Sequence, residues 1–354
     1  VLVGVIGILA GYGTGRPWME FPTAVWPVLL VSYFFLSIWS FIQFRCREGG
    51  HVYVAQWYLL AALFWFPWVY ATGHFFVFVF DGHPLMAAGV NAWFKSGLIF
   101  LFFAPIGIAM AYYLAPKVTG RPVYSYSLAM FGFWTLAAIG PWAGMQKLAG
   151  APIPQFLAYT GAAATVLILI PGIAVAVNVL CTIRGHQDTM NASPSLRFTM
   201  AGVVGFVLVG VVGLLLNTPS ALRFTQFSLT SYGFEILALY GFFSMCAFAG
   251  IYFIVPRITR REWLSRRFIK WHFWLSVYGA ITVVVCSIFG GLLQGQAQEA
   301  HSGFRGVDGR VRGCHEISLL EFPSATDCVQ SAWHLGQVRG TPLGEKAASR
   351  AMSA

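Results

Sequence analysis

Apolar residues run in long blocks broken by short polar stretches, without the three-to-four-residue rhythm of a half-buried surface helix. A mostly apolar block of about 20 residues suffices to cross a bilayer as a helix. Eight spans follow from this pattern: 24–43, 52–80, 88–115, 124–148, 155–182, 195–217, 229–255 and 269–294. Residues 1–11, VLVGVIGILAG, are too short to cross alone. They read as the end of a helix whose start is missing. The chain opens on Val1 and shows no small-residue signal cleavage site, so a fragment or a cleaved chain is expected.

Composition agrees with the pattern. Of the 354 residues, 58% are hydrophobic and only 10% charged, and the mean hydropathy is +0.70. So few charges cannot cover a soluble surface. A soluble enzyme, a disulfide scaffold and a disordered chain are excluded. The fold class expected is all-α, a polytopic membrane helix bundle.

The net charge of +10 is then a matter of topology, and no nucleic-acid partner is expected. Arg45, Arg47, Lys117, Arg121, Arg184, Arg197, Arg257, Arg260, Arg261, Arg266, Arg267 and Lys270 fall in alternate loops; the opposite loops hold only Arg16 and Arg223. The excess of basic residues marks the cytoplasmic side. The expected location is a bacterial inner membrane, with basic loops inside and the C-terminal tail outside.

Two regions are expected, a helix bundle over 1–295 and a polar extracytoplasmic tail over 296–354. The tail carries as many acidic as basic residues and many Gly and Ser, a composition open to disorder. Its Cys314 and Cys328 would pair in an oxidising compartment. Cys46, Cys181, Cys246 and Cys286 show no paired spacing and read as small core hydrophobes. Trp18, Trp26, Tyr53, Trp57, Tyr112, Tyr113, Tyr124, Tyr126, Trp263 and Trp271 cluster at span ends, as an interfacial aromatic belt would.

Four stretches carry a family resemblance. They are HVYVAQW (His51–Trp57), YYLAPKVTGRPVYSY (Tyr112–Tyr126), IYFIVPRI (Ile251–Ile258) and WHFWL (Trp271–Leu275), the last opening a span that ends at Gln294–Gly295. In order and spacing, over about residues 1–295, the chain resembles subunit I of the cytochrome cbb-type oxidases, the C family of heme–copper oxidases. The resemblance implies a twelve-helix fold, here truncated to the stretch from the end of the third helix to the eleventh. It implies electron transfer from cytochrome c to oxygen, with heme and copper as the family's cofactors. It also implies other respiratory-complex subunits, or a cytochrome c, as partners besides the lipid bilayer.

The resemblance also shows where metal ligands would lie, and none of those positions holds histidine here. Ser96, within Trp93-Phe94-Lys95-Ser96-Gly97, stands at one copper-ligand position. Gln146 and Lys147, after Trp142-Ala143-Gly144, stand at the paired copper ligands. Gly140 takes the place of the redox tyrosine. Phe234 and Ile236, after Gly233, replace the two heme axial ligands. Heme iron and copper need imidazole nitrogens in set geometry. No metal site, no cofactor and no catalytic residue is therefore expected in this chain. His74 and His272 lie within or at the edge of spans, but neither belongs to a ligand motif.

The same neighbourhoods gain charges: Lys95, Lys147 and Glu235 lie inside or at the margins of three spans. An intramembrane charge is costly and pairs or faces water. The three form a candidate polar cluster, although both lysines are also long enough to snorkel to the interface and Glu235 need not share a face with Phe234 or Ile236. Phe100, Phe102, Phe103, Trp142, Phe234 and Ile236 are the side chains available to fill the volume of two hemes. Glycines 202, 205, 210 and 213 read as close helix packing. No phosphate-binding loop and no HExxH zinc motif occurs. The leading expectation is a subunit-I-like structural or accessory component of a respiratory oxidase. The alternatives are a chain completed to an active oxidase by another subunit, a lipid- or quinone-binding or transport module, and a gene remnant.

Overall fold

The computed structural model describes residues 1–47, 50, 52–80, 82–218 and 220–301. Residues 302–354, with Cys314, Cys328 and most of the polar tail, lie outside the described residues. Among those described, the elements are all helical. Eight helices are long and apolar enough to cross a membrane: Trp26–Arg45, Val54–Val79, Pro84–Thr119, Tyr126–Leu148, Gln155–Ile183, Pro194–Leu216, Thr230–Thr259 and Arg266–Gln298. They are called the first to eighth spans below. Their number and order match the hydropathy pattern, and their ends move by a few residues. The last helix continues to His301, past the boundary expected at 295.

Residues 1–26 belong to a different unit from residues 27–301. A short helix, Leu2–Leu9, is followed by a reversal at Gly11, with φ 85°. The following loop folds back on itself: Thr14 donates to the Met19 carbonyl at 2.5 Å, and Glu20 Oε1 accepts from the Trp18 amide at 2.8 Å. Phe21 and Pro22 lie against Gly4 and Gly7, where a Cβ would meet their rings.

In the unit from Pro27 to His301, spans three, six, seven and eight share a core of Leu114, Phe198, Met245, Ala249, Phe253 and Ala280. The glycine-rich sixth span packs as expected. A Cβ on Gly202 would fall 2.5 Å from Cys246 Sγ, one on Gly205 would run into the Gly241 carbonyl, and one on Gly210 would lie 2.7 Å from Leu169 Cα. Small residues let helix backbones approach where lipid offers no competing hydrophobic force.

The YYLAPKVTGRPVYSY stretch folds as a clamped hairpin. The third span ends at Gly120, φ 70°, and the fourth is capped by Ser125 Oγ, which accepts from the Leu128 amide. Asn178 Oδ1 accepts from the Ser125 amide at 3.0 Å, and its amide group donates to the Ser125 carbonyl at 2.7 Å. Thr182 Oγ1 takes the Tyr124 amide. The fifth span thus satisfies the backbone of the turn between the third and fourth.

Three expectations need correction. Tyr112 is no belt residue: it is 4% exposed, stacked on Tyr58 and bonded to Asn178. Cys46 and Cys286 are exposed, while Cys246 is buried as expected. Trp142 is 59% exposed, because the turn at Gly140–Trp142 aims its ring outward, so it fills no interior volume.

Candidate functional site

The three intramembrane charges sit where helical geometry departs from the α form. Lys95 and Ser96 come just before a wider π-helical segment, Leu98–Phe103, in the third span. Glu235 comes just before another, Leu237–Ser244, in the seventh. Lys147 lies in a tight 3-10 turn, Met145–Leu148, at the end of the fourth. Such departures recur at functional positions in helices.

The charges meet. Lys95 Nζ is 2.7 Å and Lys147 Nζ 3.1 Å from the same carboxylate oxygen, Glu235 Oε1. The Glu235 side chain is 10% exposed, those of Lys95 and Lys147 17% and 26%. Both lysines therefore turn inward instead of snorkelling away. Glu235 is buried, while its neighbours Phe234 and Ile236 are only half-buried. Successive helix residues differ by about 100° in direction, and that rotation separates the carboxylate from both apolar neighbours.

Beneath the ion pairs lies a neutral hydrogen-bond network. Gln146 is 2% exposed. Its Oε1 accepts from the Gly144 amide at 2.8 Å; its Nε2 donates to Thr165 Oγ1 at 2.7 Å and to Asn217 Oδ1 at 3.1 Å. Gln226 Nε2 donates to the carbonyls of Lys147 at 2.8 Å and Ala149 at 2.7 Å. Trp93 Nε1 donates to the Pro141 carbonyl at 2.8 Å. The irregular segment 140–149 is thereby tied to the third, fifth and sixth spans and to the loop before the seventh. An unpaired backbone group here would cost dearly, since lipid offers it no partner.

Glycine is required at two points. Gly144 has φ 114°, and a Cβ there would lie 2.6 Å from the Ala92 carbonyl and 2.7 Å from Ser96 Oγ. At Gly161 a Cβ would lie 2.7 Å from the Gln146 amide. Ser96, Gln146 and Lys147 are thus brought into one neighbourhood. Gly140 packs on Leu101 and Phe100, and Phe234 lies beside Gly213 of the sixth span. Thr165, Asn217 and Gln226 escape a reading based on charge, because neutral amides and hydroxyls stand out only once their partners are known.

The two span histidines lie in different environments. His74 is 2% exposed, with Nδ1 2.9 Å from the Tyr70 carbonyl and its ring against Tyr70 and Phe94. His272 Nδ1 is 2.9 Å from Tyr252 Oη, beside Phe198 and Phe248. Among the described residues, no three of His, Cys, Asp and Glu converge as a metal-holding group.

Comparison with known proteins identifies the scaffold. A subunit 1 homolog of cytochrome c oxidase from Azorhizobium caulinodans is 24% identical over 318 residues, covering 85% of this chain and 56% of that protein. The cytochrome c oxidase subunit 1 of Rhodobacter capsulatus is 25% identical, over 70% of this chain and 48% of its own length. The cbb3-type cytochrome c oxidase subunit CcoN1 of Stutzerimonas stutzeri is 22% identical, over 83% and 64%. The chain spans about half the length of the curated relatives it matches. The family model for cytochrome c and quinol oxidase polypeptide I matches residues 1–318, further than the motifs alone reach. With eight apolar helices in the order the motifs require, this is an integral membrane protein of the cytochrome c and quinol oxidase polypeptide I family.

Proposed function

We propose that this chain is a subunit-I-like structural or accessory component of a respiratory oxidase complex. An ion-paired cluster replaces the metal centre as the polar tie between its helices. The observation that carries this reading is the convergence of Lys95 and Lys147 on Glu235 Oε1.

The donor set does not fit the family's cofactors. Copper in such a site takes imidazole nitrogens, and the aligned positions offer a hydroxyl, an amide and an ammonium. The Gln146 amide is engaged on both its oxygen and its nitrogen, and Lys147 is paired to Glu235. Phe234 and Ile236 carry no atom able to bind heme iron. No step of oxygen reduction is assigned to this chain. Its role is to present a stable helix bundle to other subunits in the inner membrane, basic loops inward.

Optical spectra of the purified full chain, oxidised and reduced, with pyridine-hemochrome and copper assays, test the reading. A folded helical sample without heme or copper is the expected result. Stoichiometric heme or copper overturns it and restores an oxidase completed by another chain. Affinity capture from its own membranes is expected to bring down other oxidase subunits.

A further inference from the structure

The charge balance of the cluster is incomplete. Two ammonium groups share one carboxylate oxygen, so the three formal charges leave one positive charge in excess. Each lysine pairs with that carboxylate. Each ammonium carries three N–H donors, and Glu235 Oε1 takes one from each. Two donors on each lysine remain directed elsewhere. Neither lysine side chain is sealed, at 17% and 26% exposed. An uncompensated charge within a membrane span is expensive and draws a counter-charge or water.

Other features were weaker. Arg197 has a buried Nε without a hydrogen-bond partner, but its guanidinium lies over Phe273, which satisfies it in part. The first span presents large apolar side chains outward, as lipid contact alone requires.

The geometry points to a binding site for one small monovalent anion, a halide or the carboxylate of a small acid, held between Lys95 and Lys147 beside Glu235. The anion completes the charge balance and accepts the remaining ammonium donors. Its place is fixed because both lysines are themselves held: Lys147 by the 3-10 turn that Gln146 and Gln226 pin, Lys95 by its buried helix next to Ser96. The inference rests on the ion-paired cluster of the proposed function, but not on the chain's place in a complex.

The test is the thermal stability of the full chain in detergent, titrated with sodium chloride or sodium formate in sodium gluconate at constant ionic strength. Gluconate serves as the bulky reference anion. A saturable rise in Tm with chloride or formate is expected, and the two arms tell which anion the site prefers. K95M and K147M each weaken the response by roughly tenfold to hundredfold, the value of a charge-assisted hydrogen bond. If K147M fails to fold, E235Q decides: it removes the intrachain competitor, so the anion binds more tightly than in the wild type. A wild-type Tm indifferent to both anions, or an E235Q response equal to wild type, overturns the site. Metal analysis of the same sample separates the two readings: copper or heme refutes the proposed function, whereas a metal-free sample without anion dependence refutes the anion site alone.

Discussion

Glu235 carries a negative charge into the seventh span because two positive charges wait for it. Remove the carboxylate and two ammonium groups stay behind in a region of low dielectric. Breaking one side of a buried pair leaves the other uncompensated, and that loss exceeds what the pair itself contributed. Glu235→Gln, measured in halide-free detergent buffer, is expected to lower stability by about 3 kcal/mol. Glu20→Gln is the control. That residue is an exposed loop acceptor for the Trp18 amide, and its replacement leaves Tm unchanged. Equal thermal stability of the two variants would count against the intramembrane tie. At this scale the sequence was partly legible. Lys95, Lys147 and Glu235 stood out because charge is rare in apolar spans, but their convergence depends on three helices and cannot be read from any one of them. Gln146 was visible only as a residue standing where a ligand belongs. Its bonds to Thr165 and Asn217 bridge positions 19 and 71 residues away.

Between the charges and the bundle lie elements whose regularity fails at chosen places. The hydropathy pattern gave the eight spans because length and apolarity alone decide them. It gave no sign of the π-helical turns at Leu98–Phe103 and Leu237–Ser244, since a single wide turn hardly alters a run of apolar residues. The glycines of the sixth span were legible, because lipid removes every other reason to keep so many there. Their effect can be separated from helix propensity. Gly205→Ala forces a methyl group onto the Gly241 carbonyl, and backbone cannot swing away as a side chain can. The expected cost is about 1–3 kcal/mol, as for overpacking elsewhere. Gly279→Ala lies in the eighth span with open space around it. There the gain in helix propensity is unopposed, and stability is unchanged or rises by up to about 1 kcal/mol. Thermal unfolding of the two variants in one detergent measures the difference. A Gly205→Ala variant as stable as Gly279→Ala would mean that the sixth and seventh spans do not meet through their backbones.

For the whole molecule, the remaining question is which way the bundle faces. Eight spans and alternating loop charge are consistent with one another, yet helices alone do not set a direction. Only the uneven distribution of Lys and Arg does. Cys46 sits just past the first span, is exposed, and lies in the most N-terminal of the basic loops. Ser220 is exposed in the opposite set, between the sixth and seventh spans. The chain is expressed with Cys46 as its sole cysteine, or with all native cysteines replaced and S220C added. Intact cells are then treated with a membrane-impermeant maleimide. S220C is expected to label at once, and Cys46 only after the membrane is opened. The reverse pattern would turn the bundle over and put the basic loops outside. Labelling of both in intact cells would mean that an even number of spans separates them. The segments between these positions are the second to sixth spans, five in number, so the two sites must already lie on opposite faces if every span crosses. Labelling of both thus removes a span, whereas reversal removes only the orientation. The anion site depends on neither outcome, because Lys95, Lys147 and Glu235 keep their mutual distances whichever face is outside.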